Sequence, residues 1–318
     1  MNIADKLIES IIRLKNPSVI GLDPDMGKIP ACYKAGRPVG QPMESAAETI
    51  AAFNRDIIDA VADIVPAVKP QMAFCEKYGS CGVSAFEKTV AYAKSRGLIV
   101  IEDAKRNDIG NTAQAYADGH LGMVELPDGT CAASLDADFL TVTPFLGSES
   151  LRPFVEACIR HNKGIFVLVR TSNASAGEIQ DAVTSEGQTV SRCLARYVAA
   201  QAEASVGARG YSPIGAVVGA TYPEEAVSLR GLMPKSWLLV PGYGAQGGGA
   251  KDVLPCFNPD GLGAIVNSSR AILYTHMSDA ERACCTREDY RRCVREAAES
   301  MRHDLYTALK GAYPDMIY

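Results

Sequence analysis

Nothing in the sequence is arranged as a zinc site or a disulfide framework. Its ten cysteines include no C-x-x-C pair; only Cys284 and Cys285 adjoin, and the four histidines (His120, His161, His276, His303) are scattered. The ligand spacings of a structural metal are therefore missing, and the cysteines read as free thiols of an intracellular protein. Basic runs are missing too. The 32 Lys and Arg against 37 Asp and Glu leave a net charge of −5, which argues against a nucleic-acid surface but leaves room for an anionic small ligand in a locally positive pocket. No apolar run approaches the ~18 residues of a membrane span. The first residues, "MNIADKLIESIIRLKNPS", mix Asp5, Lys6, Glu9, Arg13 and Lys15 with apolar positions. They predict an amphipathic helix over about 2–15, not a signal peptide, and a cytoplasmic location.

What is present is a large apolar fraction, 47%, beside an ordinary 22% of charged residues. Such a chain can bury a real core, and 318 residues suit either two domains or one large α/β barrel. Short β-branched runs recur at 18–23, 67–74, 98–105, 138–145, 164–172, 214–220, 237–244 and 263–270. Each is almost continuously apolar, as parallel strands covered on both faces are. Segments of helical period lie between them; in one, Ile50, Phe53, Ile57, Val61 and Ile64 fall on a single stripe. Eight βα units with no dividing linker predict a single (β/α)8 TIM barrel over 1–318, closed by a C-terminal helix over about 279–310. A doubly wound sheet is the alternative. Polar or turn-forming residues gather at the C-terminal ends of the runs (Asp23, Lys69, Asp103, Lys105, Thr171, Ser172, Gly242, Arg270). This favours the barrel, whose active sites are built on that face. Two long Pro- and Gly-containing loops, one after the first strand and one before the fourth, are of the kind that is usually functional or mobile.

The charged stretch "IEDAKRNDIGNT" (101–112) follows directly on a buried run. Side chains alternate along a strand, so Asp103 and Lys105 are expected on one face, in the barrel mouth, with Asp108 past the strand end. Lys69 is the only charge in "IVPAVKPQMAF", and a lysine there needs a carboxylate partner or a function. At about 4 Å and an effective dielectric near 20, each opposite charge contributes on the order of 4 kcal/mol before desolvation. An alternating Lys–Asp–Lys–Asp set thus stays ionised. It can equally be a salt-bridge network at a barrel rim; the barrel position and the isolated Lys69 favour a functional role.

After the seventh strand comes "VPGYGAQGGGA" (240–250), and Arg270 ends the eighth. Loops after strands seven and eight commonly hold a phosphate in barrels, through backbone N–H groups and a cation such as arginine. Gly242, Gly244 and Gly247 also spell G-x-G-x-x-G, but the motif comes late and the next strand ends in Asn267-Ser268-Ser269, with no acid for a ribose hydroxyl. A merely flexible loop is the plainer alternative.

These residues together resemble orotidine 5′-phosphate decarboxylases. "DAKRNDIGNT" is similar to the D-x-K-x-x-D-I-x-x-T signature of that family, and "GLDPD", "VKPQMAFCEKYG", "FVLVRTSN", "VVGATYPEE", "VPGYGAQGG" and "NSSRAI" resemble its other strand ends in the same order, from about residue 18 to 275. The long first loop and "FVLVRTSNASAGEIQD" resemble the longer-chain branch. The resemblance implies cofactor-free decarboxylation of orotidine 5′-phosphate to UMP, the last step of de novo pyrimidine synthesis, with neither metal nor organic cofactor. It implies Lys69, Asp103, Lys105 and Asp108 as the catalytic set, with Lys105 as proton donor. Asp108, Ile109 and Thr112 would reach the neighbouring subunit's site in a homodimer. Asp23 and Lys69 would meet the ribose, Ser172 the pyrimidine edge, and Gln246 and Arg270 the phosphate, with Thr171, Pro241 and Gly247 also among the substrate-binding residues. Gln71 stands where related chains often have Asn, and is expected to act as a hydrogen-bonding residue. Metal-dependent barrel enzymes of sugar phosphates, such as 3-keto-gulonate 6-phosphate decarboxylase, share the D-x-K-x-x-D core; a non-catalytic nucleotide-binding barrel is the other alternative. In some eukaryotes the family's domain is fused to orotate phosphoribosyltransferase, so such a fusion or association, which could carry a targeting signal, belongs to the expectation.

Overall fold

Eight apolar segments, too short to be stable alone, find their backbone partners in one another and close a ring. The computed structural model describes residues 2–36, 40–220, 223–244, 248–277 and 286–318. The barrel strands are β1 (Ser18–Leu22), β2 (Ala67–Pro70), β3 (Ile99–Arg106), β4 (Phe139–Val142), β5 (Gly164–Arg170), β6 (Ser212–Val218), β7 (Ser236–Val240) and β8 (Ala264–Ser268). All neighbouring pairs are parallel, and β1 pairs with both β2 and β8 (Val19 opposite Ala67 and Asn267). That closure makes the fold a (β/α)8 barrel and excludes the open, doubly wound sheet.

The residues of β1, β2, β4, β6, β7 and β8 are buried throughout, because the barrel interior takes one face and the helical ring the other. The helix Pro42–Val61 turns Ile50, Phe53, Ile57 and Val61 fully inward, with Ile64 buried just beyond its end. The N-terminal helix, Ile3–Leu14, carries an Asn2/Asp5 capping box and buries Ile3, Leu7, Ile8 and Ile11 in the same apolar cluster as barrel residues such as Val19, Ile99 and Phe139. Asp5 accepts the backbone N–H groups of Ala208 and Arg209, just ahead of β6. The helix therefore plugs the end of the barrel where the strands begin.

The C-terminal helix runs Arg287–Ala312, capped by Thr286, whose side chain accepts from the Asp289 N–H. The expected start near 279 thus moves inward for the described residues, and 279–285 lie outside them. The long loop before β4 carries a small hairpin (Val124–Glu125 with Cys131–Ala132). Its return is tied by the Leu135 N–H to Gly119 O and the Ala137 N–H to His120 O, at the foot of the helix Gly110–Leu121 and so opposite the mouth. Length alone gave no guide to which end it would serve. The eight described cysteines are unbridged, and no described helix is long and apolar enough to cross a membrane.

Candidate active site

Each of the eight strands delivers at least one side chain to a single cleft of about 330 Å3 at the C-terminal mouth: Asp23 beyond β1, Lys69, Asp103 with Lys105, Thr141, Leu168, Val217, Leu239 and Asn267. The loops add Gln71, Thr171, Ser172, Asn173, Pro241, Gly242, Tyr243, Ser269 and Arg270. All eight residues singled out at the strand ends line this cleft. Apolar Leu168, Val217 and Leu239 face a polar ring, the composition of a pocket for a flat, polar-edged ligand.

At its base lies Asp103, buried to 7% exposure. Its Oδ2 accepts from Lys69 Nζ at 2.6 Å and Gln71 Nε2 at 2.9 Å; its Oδ1 accepts from Lys105 Nζ at 2.5 Å and Thr141 Oγ1 at 3.0 Å. Four donors thus converge on one carboxylate. Burial disfavours the charge on Asp103, but the Lys69 and then the Lys105 ammonium outweigh it and hold the carboxyl well below the usual range. Burial likewise works against the Lys69 charge, and the carboxylates of Asp103 and then Asp23 outweigh it, holding Lys69 above an ordinary lysine. The buried Oδ1 of Asp23 has no hydrogen-bond partner among the described residues. The two lysines differ in one decisive respect. The Lys69 side chain is 6% exposed, whereas that of Lys105 is 47% exposed.

Lys105 reaches this position by a route that strand alternation does not describe. The β3–β4 register slips between Glu102 and Arg106, a bulge opposite Thr141, and Lys105 takes a left-handed backbone with φ of 51°. Its N–H is caught by Thr141 Oγ1 at 3.1 Å. Asp103 and Lys105 share the mouth as expected, but through a bulge. Glu102 and Arg106 point elsewhere: Glu102, fully buried, meets His120 Nδ1 at 2.8 Å, and Arg106 pairs with Glu76.

Not every expected residue enters the cleft. Asp108 is half-buried beyond the end of β3 and accepts the Ile109 N–H. Ile109 and Thr112 are exposed at the start of the next helix, and none of the three is among the cleft's lining residues. Gln246 and Gly247 lie outside the described residues. The flanks of their loop are in place: Tyr243 bridges to Gly248, and the Gly244 N–H donates to Gly248 O at 2.8 Å. Sequence reasoning missed Thr141, Asn173, Tyr243 and Asn267. It also passed over Arg170, which is buried at the end of β5 and paired with Glu225 at 2.7 Å and Asp181 at 2.9 Å, fixing the start of the Thr171–Asn173 segment. The available signal was a full charge inside the apolar run "FVLVR". Among the described residues, no three His, Cys, Asp or Glu side chains are grouped to hold a metal.

A cleft at the mouth of a (β/α)8 barrel, with two ammonium groups on one buried carboxylate and an arginine-and-glycine rim, defines the class as a barrel site for an anionic small molecule. Comparison then places the chain more narrowly. Residues 43–283 match the orotidine 5′-phosphate decarboxylase / HUMPS family, and the chain belongs to that family. It is 44% identical over 305 residues to an orotidine 5′-phosphate decarboxylase of Rhodopirellula baltica, covering 96% of this chain and 99% of that one. It is 39% identical over 278 residues to that of Caldicellulosiruptor saccharolyticus, covering 87% and 90%. Among solved structures, Leishmania donovani OMP decarboxylase superposes with a TM-score of 0.67 at 26% identity, covering 96% of this chain and all of that one. Leishmania donovani UMP synthase gives 0.68 at 28%, covering 97% of this chain but 57% of that longer one.

Proposed function

We propose that the protein decarboxylates orotidine 5′-phosphate to UMP and CO2, as a carboxy-lyase of UMP synthesis, with fixed charge in place of a cofactor. The observation that carries this reading is Asp103 clamped between Lys69 and Lys105. Loss of CO2 from C6 of the pyrimidine leaves an electron pair in the ring plane, where the π system cannot delocalise it. A cation already in position stabilises that pair without reorganisation. Lys105 is assigned this task and the final proton transfer, because its ammonium is solvent-facing and aimed into the cleft. Lys69, buried and held above its ordinary pKa, is a poor donor and serves as the fixed counter-charge that keeps Asp103 ionised. Asp103 faces the substrate carboxylate, and the repulsion between them vanishes as CO2 leaves. Asp23 accepts ribose hydroxyls through its free Oδ1, Ser172 meets the pyrimidine edge, and Gln246 and Arg270 hold the phosphate, with Thr171, Pro241 and Gly247 completing the substrate-binding wall.

The same reading makes the active unit a homodimer with shared sites, located in the cytoplasm. Its support is that Asp108, Ile109 and Thr112 lie outside their own cleft, while Ile109 (51% exposed), Phe145 (78%) and Leu146 (49%) present apolar surface on the loops after the adjacent strands β3 and β4. The likeness to part of UMP synthase is compatible with association with orotate phosphoribosyltransferase.

The metal-dependent alternative fits this site less well, because two ammonium groups within 2.6 Å of Asp103 repel the cation it would have to hold. The test is the fall in ultraviolet absorbance as orotidine 5′-phosphate becomes UMP, with and without EDTA. Turnover indifferent to chelator is expected. No turnover, or activity abolished by EDTA and restored by Mg2+, refutes the proposal.

A further inference from the structure

Beyond the cleft lining, Tyr274 joins the two ends of the site. It follows directly on the one-turn helix Arg270–Leu273, and its N–H donates to Arg270 O at 3.0 Å. The residue is 8% exposed, and its hydroxyl makes two hydrogen bonds across to the turn after β1. It donates to the carbonyl of Asp23 at 2.7 Å and accepts the N–H of Asp25 at 2.7 Å. Both capacities of the hydroxyl are thus spent on the backbone flanking Pro24. Burial, the largest influence, pushes the phenol up to about 12, so it remains a donor throughout the neutral range. The two segments are also in tight contact at Gly21, two residues before Asp23, and Ser269, one residue before Arg270. A side chain at Gly21 would place its Cβ 1.9 Å from Ser269 Oγ, so only glycine lets the Ser269–Arg270 corner lie directly on β1.

We propose that Tyr274 is a positioning residue that couples occupation of the phosphate end to the placement of Asp23, the carboxylate assigned to the ribose. This rests on the decarboxylase reading above, which sets Arg270 at the phosphate and Asp23 at the ribose. When phosphate draws on Arg270, the backbone of the 270–274 turn is held. The Tyr274 hydroxyl then holds the Asp23–Asp25 turn, so the Asp23 carboxylate is fixed beside Lys69. Without the hydroxyl the two ends bind their parts of the substrate independently. Coupling of this kind appears as a difference between substrates, not as a uniform loss.

The test compares wild type with Tyr274→Phe on two substrates, orotidine 5′-phosphate and orotidine, which lacks the phosphate. Loss of two backbone hydrogen bonds is expected to lower kcat/KM for orotidine 5′-phosphate about tenfold or more, while activity on orotidine changes less than about twofold, since there is no phosphate signal to lose. A second measurement needs no turnover: the ratio of UMP to uridine affinity by calorimetry is expected to fall by the same factor. Equal losses on both substrates with an unchanged affinity ratio would show a merely structural tyrosine, and overturn the inference. So would wild-type behaviour on both. Failure of the wild type to turn over orotidine 5′-phosphate sinks the decarboxylase reading instead, and the inference with it.

Discussion

The two ends of the barrel solve opposite problems with the same strands. At the end where the strands begin, Ile3, Leu7, Ile8 and Ile11 seal the interior with hydrocarbon. At the end where they finish, Lys69, Asp103 and Lys105 stand where desolvation is costly, balanced only by one another. The contrast separates stability from chemistry. Substitutions at the plug should lower folding free energy and leave the turnover of folded molecules alone, whereas substitutions at the mouth should do the reverse unless they strand a buried charge.

The largest expected effect is at the mouth. Lys105→Ala should lower kcat by at least about 10⁴-fold while leaving the urea midpoint near that of wild type; near-normal turnover in single-turnover assays would remove Lys105 from the donor role. Asp103→Asn breaks the clean separation, because it leaves the buried Lys69 ammonium without its neighbour. It should abolish measurable activity and also cost about 3–5 kcal/mol of stability, read from denaturant unfolding. Leu7→Ala should cost about 2–5 kcal/mol at the plug with kcat unchanged; a parallel fall in kcat would mean that the two ends are mechanically linked. The smallest effect is expected from Thr141→Val, which removes one of four donors to Asp103 and the acceptor for the Lys105 N–H. It should lower kcat about tenfold, with little change in KM.

Stability against pH sharpens the same contrast. In the folded state the carboxyl of Asp103 lies below its ordinary value. Its contribution is therefore fully present above an unfolded pKa of about 4 and is lost as pH falls below that. Lys69 is held above its ordinary value, so its contribution is present below an unfolded pKa of about 10.4 and is lost only as pH rises past it. Between these limits the pair should give a flat profile, and Asp103→Asn should make the acid-side slope below about pH 4 shallower than in wild type, the remainder coming from other lowered carboxyls such as Asp63 and Asp136.

The barrel was largely legible in the sequence. Eight continuously apolar runs admit few other arrangements, and the strand ends announced themselves through residues that do not belong in a core, such as Lys69. What could not be read was local. Alternation put Asp103 and Lys105 on one face for the wrong reason, because a bulge is set by the pairing with β4, which the β3 sequence does not contain. Thr141 stayed hidden since a threonine in an apolar strand resembles any other β-branched residue until its hydroxyl is seen between Asp103 and Lys105. The loop before β4 has the composition of a functional loop, yet only the path of the preceding helix decides that it lies away from the cleft. Asp108, Ile109 and Thr112 illustrate a further limit: their expected work requires a surface that one chain does not contain.

The left-handed backbone of Lys105 also bears on how this site could have arisen. A non-glycine residue with φ of 51° carries a conformational penalty on the order of 1–2 kcal/mol, and glycine would relieve it. Selection for foldability alone would therefore drift this position toward glycine, away from the amine. On the proposed donor role, residue 105 is a place where local backbone preference and chemistry disagree, and where drift toward a more stable protein would extinguish the proposed catalyst.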